Sequence, residues 1–557
     1  MSTNIAIYDV VVVGAGPGGA YAAWRAKTGA VSGPSPLPSD PAQRRVLLLE
    51  SSGRIGGRLE SIVAPGTQGL VAEFGGMGFT EHDTIFTALV DQVFKLPAFA
   101  FPHAGNLAYV RGVRLSLEQR VNPALLPYRL TPDEQNVIQG QLPGPPGYAG
   151  PVALVAWAAE SAIPGCLAFN AKQWAIAKRE VMFDGRHLRD IGFWNFLLMS
   201  MSNEALSYVH DMFGHFFEIA NWNCAEALPW FLGDGTTTYR TLSAGYDQLP
   251  KTLVDAFTAE GGQLMLDTPV VSVTAPPAPA TGLLVNLASG SSVLAGQVVL
   301  AMPRRALQRI APGSVVLDAP WAQPLIESVT GQSVMKLFLT FQTPWWTTLT
   351  PSITEGSSST DLPVGQCWYF TATDGGDSLL MASYNDTLAT SYWEGLAAGP
   401  RFPTQAANPP PRWVEQAASQ AMVDEVVRQL ALMHGIPIPT PTGAAYMNWS
   451  RDPFGGAFDT WNVGVDAAAV EAKMLRPDPT TSLYICGDAY SSDQGWTEGA
   501  LATAERVMQR YLGVVRRLKG AQTGELLIEA LQASPHREIE IEIEPHRSAM
   551  PVRAVKL

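Results

Sequence analysis

The sequence is poor in cysteine for its length. Four cysteines, Cys166, Cys224, Cys367 and Cys486, occur in 557 residues. Their spacing includes no C-x-x-C pair and no arrangement typical of a metal site. We therefore expect buried free thiols in a reducing compartment, with neither a disulfide framework nor a bound metal.

Positive charge and long apolar runs are also scarce. Lysine and arginine number 37 against 50 acidic residues, so the net charge is −13. Without a basic surplus the chain is unsuited to nucleic-acid phosphates or anionic membranes. No apolar run approaches the roughly 20 residues of a membrane span. Because strand-like sequence begins at Tyr8, we expect no signal peptide and predict a soluble cytoplasmic protein.

The N-terminal segment has the pattern of a strand, a glycine turn and a helix. It reads Y-D-V-V-V-V-G-A-G-P-G-G over residues 8–19. Gly14 permits a tight turn, Gly16 lets the backbone approach a pyrophosphate, and Gly19 lets the helix pack closely. A second apolar strand ends at Glu50, whose carboxylate can accept hydrogen bonds from a ribose. The pattern predicts a dinucleotide cofactor.

Two further features follow this motif. Gly56 and Gly57 clear space for another backbone approach, and Arg58 can reach a phosphate. The distance from Gly19 to Glu50 exceeds the roughly 20 residues expected for this motif. The excess is a Gly/Pro/Ser stretch over residues 28–41, which predicts a surface loop.

These motifs resemble those of the FAD-binding amine oxidase superfamily, in which G-G-R follows the second strand. The segment Y-I-C-G-D-A-Y-S-S-D-Q-G-W-T-E-G over residues 484–499 is similar to the closing FAD motif of that superfamily. The resemblance implies that Asp488 binds the ribityl chain or a nearby hydroxyl. The helix after Trp496 would direct its positive end at the flavin pyrimidine.

The chain as a whole is most similar to bacterial L-amino acid oxidases, from Tyr8 to about Leu512. The similarity includes Y-R-L-T-P-D-E (128–134), F-D-G-R (183–186), A-E-A-L-P-W (225–230) and S-R-D-P-F-G-G (450–456). It implies a flavoenzyme, usually a homodimer, that oxidises an amino acid and passes the electrons to molecular oxygen. The products would be an imino acid, hydrolysed to a 2-oxo acid and ammonia, and hydrogen peroxide.

We predict an α/β fold with a doubly wound, Rossmann-like FAD-binding domain and two inserted domains. The discontinuous FAD-binding domain would comprise residues 1–74, 241–325 and 471–519. Residues 75–115 and 326–470 would form a substrate-binding α+β domain, with strands and turns predicted over 326–470. Residues 116–240 would form a helical domain. The tail, 520–557, alternates at period two over 537–547, which fits either an added edge strand or a solvated tail.

Lys336 is the candidate catalytic residue, because lysine is rarely buried without a task and here lies in the apolar strand S-V-M-K-L-F-L. In the family a lysine on this strand holds a water near flavin N5; a surface lysine at a strand edge is the alternative. The predicted cofactor-binding residues are Gly14, Gly16, Gly19, Glu50, Gly57, Arg58, Gly75, Gly76, Met77, Val271, Gly487, Asp488, Trp496 and Thr497.

Aromatic residues cluster at 221–231 and 366–370, and such clusters form either a core or the wall of a dry pocket. We predict Trp496 and the adjacent Gly495 as parts of a substrate pocket. Trp222 and Trp368 fit core and pocket equally well. Tyr369 completes the predicted set, where the family often has a Tyr-Tyr pair.

Two positions depart from the family pattern. Gly78 stands where these oxidases place an arginine that clamps the substrate carboxylate, and glycine cannot form that bidentate pair. Arg111 and Arg114 are nearby candidates for the clamp. Ala457 stands where covalent flavin amine oxidases have cysteine, so FAD is expected to be non-covalent.

Three functions fit these residues. The first is an L-amino acid oxidase that prefers apolar or aromatic side chains. The second is an oxidase of an amine or modified amino acid without a free carboxylate, which Gly78 favours. The third is a non-enzymatic flavoprotein, which the presence of Lys336 disfavours.

Overall fold

The structure is a computed structural model that describes residues 5–102, 105–141, 148–216, 220–233, 238–373, 375–451 and 453–515. The C-terminal tail, with its two alternative predictions, lies outside these residues. The proposed domain boundaries remain predictions, but the elements of the described residues can be compared with them.

The strands are, in chain order, β1 (Ile7–Val13), β2 (Val46–Leu49), β3 (Ser61–Val63), β4 (Val71–Glu73), β5 (Phe79–Thr80), β6 (Ala98–Ala100), β7 (Gly105–Val110), β8 (Val113–Ser116), β9 (Met182–Phe183), β10 (Arg186–His187), β11 (Tyr239–Leu242), β12 (Gln263–Met265), β13 (Val270–Thr274), β14 (Leu283–Leu287), β15 (Ser292–Ala301), β16 (Val329–Gln332), β17 (Val334–Phe341), β18 (Glu355–Thr360), β19 (Gln366–Phe370), β20 (Ser378–Asp386), β21 (Gly443–Asn448), β22 (Phe458–Trp461) and β23 (Leu483–Cys486).

The helices are α1 (Pro17–Thr28), α2 (Thr84–Ala88), α3 (Pro132–Ile138), α4 (Pro151–Ala162), α5 (Ala171–Glu180), α6 (Phe193–Ser200), α7 (Asn203–Phe213), α8 (Cys224–Gly233), α9 (Gln248–Ala259), α10 (Arg304–Ile310), α11 (Gln323–Ile326), α12 (Thr387–Glu394), α13 (Pro411–Glu415), α14 (Gln420–His434), α15 (Ala467–Leu475) and α16 (Thr497–Arg510). Proline at the first position of α1 suits a helix start, because its missing N–H would have no partner there.

The first large sheet contains both predicted nucleotide-binding strands. Its order is β12-β2-β1-β15-β14-β13, and β23 also pairs with β15. β12, β2, β1, β15 and β23 run parallel. The first half of β15 pairs antiparallel with β14, whereas the second half pairs with β23. This sheet confirms the predicted doubly wound fold class.

Both faces of this sheet are covered. Along β1, Val10 and Val12 point into one apolar core, and Val11 and Val13 point into another. This alternation follows from the period of two in a strand. On the first face α1 packs against α9 and α16. Parallel sheets covered on both faces bind ligands at the carboxyl ends of their strands.

The second large sheet has the order β21-β17-β20-β19-β18-β7-β8. One face packs on α14, where Val423, Val426, Leu430 and Met433 recur at helical spacing. The sequence over 326–470 was expected to form strands and turns, so α12, α13 and α14 correct that expectation. Their apolar residues cover a face that the sheet alone would leave in water.

Helices α3 to α8 surround a separate apolar core, to which Ala108, Val110 and Leu115 of β7 and β8 also contribute. All four cysteines are buried free thiols. No helix in the described ranges is long and apolar enough to cross a membrane. Within the same ranges, no group of three or more His, Cys, Asp or Glu side chains could hold a metal ion.

Candidate functional site

A large cavity of about 1270 Å³ extends from the carboxyl ends of β1, β2, β15 and β23 to one face of the second sheet. It exceeds the roughly 300–1,000 Å³ of an ordinary small-molecule pocket, so a dinucleotide and a substrate could share it. The predicted site residues that line it are Gly14, Gly16, Glu50, Gly57, Arg58, Gly75, Gly76, Met77, Gly78, Val271, Lys336, Trp368, Gly487, Asp488, Gly495, Trp496 and Thr497. Their roles remain predictions.

The turn after β1 can be closed only by glycine. Gly14 has φ +104°, and a Cβ added there would lie 2.4 Å from the Ala301 carbonyl oxygen. A Cβ on Gly19 would lie 1.8 Å from the Gly14 oxygen. This close approach agrees with the packing of α1 that was predicted for Gly19. Gly19 does not line the cavity, and its place among the cofactor-binding residues remains a prediction.

Glu50 is held rigidly at the edge of the cavity. Its Oε2 accepts a hydrogen bond from the Ala15 backbone N–H at 2.8 Å. Its Oε1 accepts from the Ser52 backbone N–H at 2.9 Å and from the Ser52 hydroxyl at 2.8 Å. Carboxylate oxygens accept more than one hydrogen bond each, so capacity remains for ribose hydroxyls. The position fits the predicted ribose partner.

Arg58 lies in the cavity, but its guanidinium is engaged by protein groups. It forms an ion pair with Asp488, lies 3.8 Å from an Asp459 carboxylate oxygen and donates to the Ala457 carbonyl at 2.9 Å. Burial raises the pKa of Asp459 to about 6, although the Arg58 charge opposes that shift. From the sequence, Arg58 was predicted to reach a phosphate, and Asp459 was not predicted as a site residue.

Lys336 is buried, with only 3% of its surface exposed, so the alternative of a surface lysine is excluded. Its Nζ donates to the Gly75 carbonyl at 2.6 Å and to the Glu73 carbonyl at 3.1 Å. The same nitrogen lies 3.4 Å from the Met77 sulfur. Burial lowers the pKa of Lys336 to about 7, and the nearby Glu73 charge opposes this. The amine can therefore exchange a proton near neutral pH.

Glu73 is a second buried ionisable group beside Lys336. Its carboxylate accepts hydrogen bonds from the Tyr246 backbone N–H at 2.7 Å and from the Ser61 hydroxyl at 2.6 Å. Burial raises the pKa of Glu73 to about 8. Burial thus moves the pKa values of Glu73 and Lys336 towards each other. Two neighbouring groups with similar pKa values can share one proton. No motif in the sequence identified Glu73.

Aromatic side chains wall the part of the cavity next to Lys336. Phe101 lies 5.4 Å from Trp368, and Tyr239 stacks on Trp496 at 6.1 Å, measured between ring centres. Helices α3 to α8, here called the helical block, contribute Phe213, Trp230 and Phe231 to the lining of the same cavity. We call this part the aromatic chamber. Trp368 and Trp496 thus belong to the chamber wall. For Trp368 this agrees with the pocket alternative.

Two predicted substrate-binding residues lie elsewhere. Tyr369 points to the opposite face of the sheet from Trp368, because neighbours on a strand alternate; its hydroxyl bonds with His434 at 2.6 Å and Ser358 at 2.8 Å. Trp222 packs in the core of the helical block, 6.0 Å from Trp230. The core reading of Trp222 is therefore correct.

The chamber also contains polar residues that sequence reasoning missed: His215, Gln366 and Tyr384. The His215 ring lies 4.3 Å from the Tyr384 ring, measured between ring centres. Burial lowers the pKa of His215 to about 3, so the imidazole is neutral near pH 7. Gln366 could have been predicted, because it lies two residues before Trp368 on the same strand and therefore on the same face of the sheet. No pattern in the sequence pointed to His215.

Neither Arg111 nor Arg114, the two predicted candidates for a carboxylate clamp, lines the cavity. Gly78 lines the chamber, and a Cβ added there would lie 3.2 Å from the Arg240 carbonyl oxygen. Arg111 pairs with Glu204 at 2.9 Å. Arg114 donates to the Met433 carbonyl at 2.9 Å. Both arginines are therefore engaged away from the chamber.

The residues present fit a flavin dinucleotide. The glycine turn and Glu50 suit the adenosine end, whereas α16 begins at Thr497 with its first turn on the cavity wall. A helix N-terminus favours negative charge, such as that of a reduced flavin ring. Ala457 lines the cavity with a methyl group, which offers no nucleophile for a covalent flavin bond. Fold and site together define a dinucleotide-dependent oxidoreductase.

The chain belongs to the family of flavin containing amine oxidoreductases, whose model matches residues 41–511. It is 26% identical over 543 residues to Aplysianin-A from Aplysia kurodai, covering 90% of each chain. It is 26% identical over 310 residues to L-amino-acid oxidase 4 from Hebeloma cylindrosporum, covering 51% of this chain and 45% of that protein.

Among solved structures, wild-type putrescine oxidase bound to putrescine superposes with a TM-score of 0.65 at 16% identity. The match covers 90% of this chain and 98% of that one. At this identity the likeness concerns the fold alone, and it agrees with the predicted FAD-binding amine oxidase fold. The protein is thus a flavin-dependent oxidoreductase that acts on amino groups and uses FAD.

Proposed function

We propose that this protein is an FAD-dependent oxidase that oxidatively deaminates an L-amino acid with an apolar or aromatic side chain. With oxygen and water, the products are a 2-oxo acid, ammonia and hydrogen peroxide. The observation that carries the proposal is the aromatic chamber beside the buried amine of Lys336, in the same cavity as the dinucleotide residues. The similarity to an L-amino-acid oxidase from Hebeloma cylindrosporum supports it.

When bound, FAD supplies a two-electron acceptor for the hydrogen on the substrate carbon that bears the amine. The chamber's contribution is to favour the neutral form of that amine, because an apolar environment lowers the pKa of a cation. Phe101, Trp368 and Trp496 exclude water from around the amine. Lys336, with a pKa near neutrality, can hold a water molecule and move one of its protons.

The substrate carboxylate would be bound by neutral donors. Of the described residues that line the cavity, the cationic ones are Arg58, Arg309 and Lys336. Arg58 is paired with Asp488, and Arg309 lies on α10, which packs against β13 at the dinucleotide end. Side-chain hydrogen-bond donors such as Gln366 and Tyr384 therefore replace an arginine fork, at a cost in affinity.

The alternative substrate is an amine or a modified amino acid without a free carboxylate. The same shortage of unpaired cations favours it, together with Gly78. The Lys336 amine already donates to the Gly75 and Glu73 carbonyls, so a carboxylate would be poorly compensated. Burial of an uncompensated charge is unfavourable. The two candidates share the aromatic wall and Lys336, and they differ only in what occupies the space next to Gly78.

We further propose that FAD is held non-covalently, that molecular oxygen is the electron acceptor, and that the protein acts as a cytoplasmic homodimer. Ala457 supports the first point, since alanine cannot form a thioether link. The buried free thiols support a reducing compartment. The dimer rests on the resemblance to bacterial L-amino acid oxidases.

The test is a panel of L-amino acids, their methyl esters and simple amines, assayed for peroxide and for bleaching of the flavin without oxygen. We expect bleaching by L-amino acids with apolar or aromatic side chains and slower bleaching by their esters. Faster reaction with esters or amines would support the alternative. Bleaching without peroxide in air would contradict the oxidase assignment.

A further inference from the structure

Met77 lies on the wall of the cavity, beside Lys336. Its sulfur is 3.4 Å from the Lys336 amine, and the side chain is partly exposed on the cavity wall. Two of the described residues that line the cavity are methionines. The other one, Met302, follows β15 at the dinucleotide end, next to Gly487.

We propose that Met77 is a site of oxidation by the hydrogen peroxide released in the same cavity, and that its sulfoxide restrains Lys336 and limits the working life of the enzyme. This inference rests on the proposed oxidase function, which supplies the oxidant. A thioether needs only access to peroxide, and the cavity gives Met77 that access at the place of release.

The step is a two-electron oxygen transfer. A lone pair of the Met77 sulfur attacks one peroxide oxygen, the S–O bond forms, and the O–O bond breaks. The departing hydroxide takes the proton of the transferred oxygen and leaves as water. Sulfur is oxidised by two electrons and peroxide is reduced by two. One thioether and one hydrogen peroxide molecule give one sulfoxide and one water molecule.

Oxidation of Met77 would change the hydrogen bonding of Lys336, because the two side chains are in contact. A thioether sulfur is a weak acceptor. The sulfoxide oxygen is strongly polar and would compete with the Gly75 and Glu73 carbonyls for the Lys336 protons. Hydrogen bonding to the ammonium form favours the charged amine. The sulfoxide also places a polar group in the aromatic chamber.

Other methionines provide internal controls. Met182 and Met199 are 49% and 45% exposed, so they report peroxide in bulk solution. Met335 precedes Lys336 but is fully buried on the opposite face of β17, so it reports damage by unfolding. A local oxidation therefore has a pattern that neither bulk peroxide nor unfolding reproduces.

The experiment uses the FAD-loaded protein turning over its best substrate in air, with catalase present to remove bulk peroxide. Peptide mass spectrometry follows sulfoxide at each methionine, and a parallel sample without catalase gives the peroxide yield. We expect sulfoxide at Met77 to rise with turnover number while Met182, Met199 and Met335 stay unmodified. Unmodified Met77 with a normal peroxide yield, or oxidation no faster than at Met182, would overturn the proposal and leave the oxidase function intact.

Absence of peroxide with every substrate would overturn both proposals together. The effect on Lys336 is tested with Met77→Leu, which nearly conserves volume. Each protein is compared with its own initial rate. We expect the wild type to lose rate in step with Met77 sulfoxide and the variant to retain a larger fraction after equal turnover. Equal decay would overturn the restraint on Lys336.

Discussion

Lys336 lies directly opposite Tyr384 in the register of β17 and β20, and its Nζ is 4.8 Å from the centre of the Tyr384 ring. The ring face stabilises the ammonium form, whereas burial disfavours it. These opposing effects leave an amine that can change its protonation state inside the chamber.

Lys336→Met should keep the fold and the flavin but slow turnover or flavin reoxidation. Methionine conserves most of the stem length, so packing changes little. Stopped-flow absorbance measures the reductive and oxidative half-reactions separately. Lys172→Met, on the exposed surface of α5, is the matched control. Wild-type rates in both half-reactions would contradict a catalytic role, and loss of soluble protein would indicate a structural one.

Glu73→Gln should change the pH dependence of stability. The folded-state pKa of Glu73 is raised to about 8 from an ordinary value of 4.5. The stability it contributes is therefore fully present below about pH 4.5 and is lost as pH rises through about 8. Glutamine cannot ionise, so the melting temperature of the variant relative to wild type should increase from pH 5 to pH 9. A constant difference would contradict the raised pKa.

Glu50→Ala should weaken FAD binding by about 1.5–3 kcal/mol, the usual worth of hydrogen bonds to a charged group. The change also removes the acceptor of the Ala15 and Ser52 N–H groups. Glu50→Gln is the comparison variant: it keeps the shape, removes the charge and replaces one of the two acceptor oxygens with an N–H donor. Titration of the apoprotein with FAD gives the dissociation constants. Unchanged affinity in both variants would place the ribose contact elsewhere.

The purified protein should be yellow, and acid precipitation should release all of its FAD. Ala457 offers no thiol near the flavin site. Absorbance of the supernatant and of the redissolved pellet measures the two fractions. Flavin that stays with the pellet would show a covalent link at a residue other than Ala457.

Gly78→Arg should separate the two candidate substrates. An arginine facing the chamber adds a bidentate site for a free carboxylate and should lower KM for ordinary L-amino acids. It should abolish activity on substrates without a carboxylate, through bulk and a buried unpaired charge. Gly78→Gln supplies bulk without charge as the control. If neither activity changes, position 78 does not face the substrate.

The dinucleotide end was predictable because its geometry is local. The turn at Gly14 and Gly19, the acid after β2 and the strand–helix unit around Asp488 each depend on a few neighbouring residues. A tight turn next to a phosphate site imposes the same backbone constraints in different proteins, so it is encoded by the same pattern of glycines.

The chamber was less predictable because its residues meet only through tertiary packing. Trp222 and Trp368 are equivalent in sequence terms, yet one lies in a helical core and the other on the cavity wall. His215 and Tyr384 come from different blocks of the chain. The covering of a sheet face by α14 likewise depends on the whole fold, although its apolar spacing was visible.

The strand β15 pairs with β14, which precedes it directly, and with β23, which comes much later in the chain. Its second half is completed by β23, at residues 483–486, near the end of the described chain. A nascent chain therefore carries β1, β2 and most of the chamber while one edge of the sheet is open. Open strand edges template association with other chains. A chain that stopped before β23 would thus lack both this pairing and the cavity residues that follow it, among them Gly487 and Asp488.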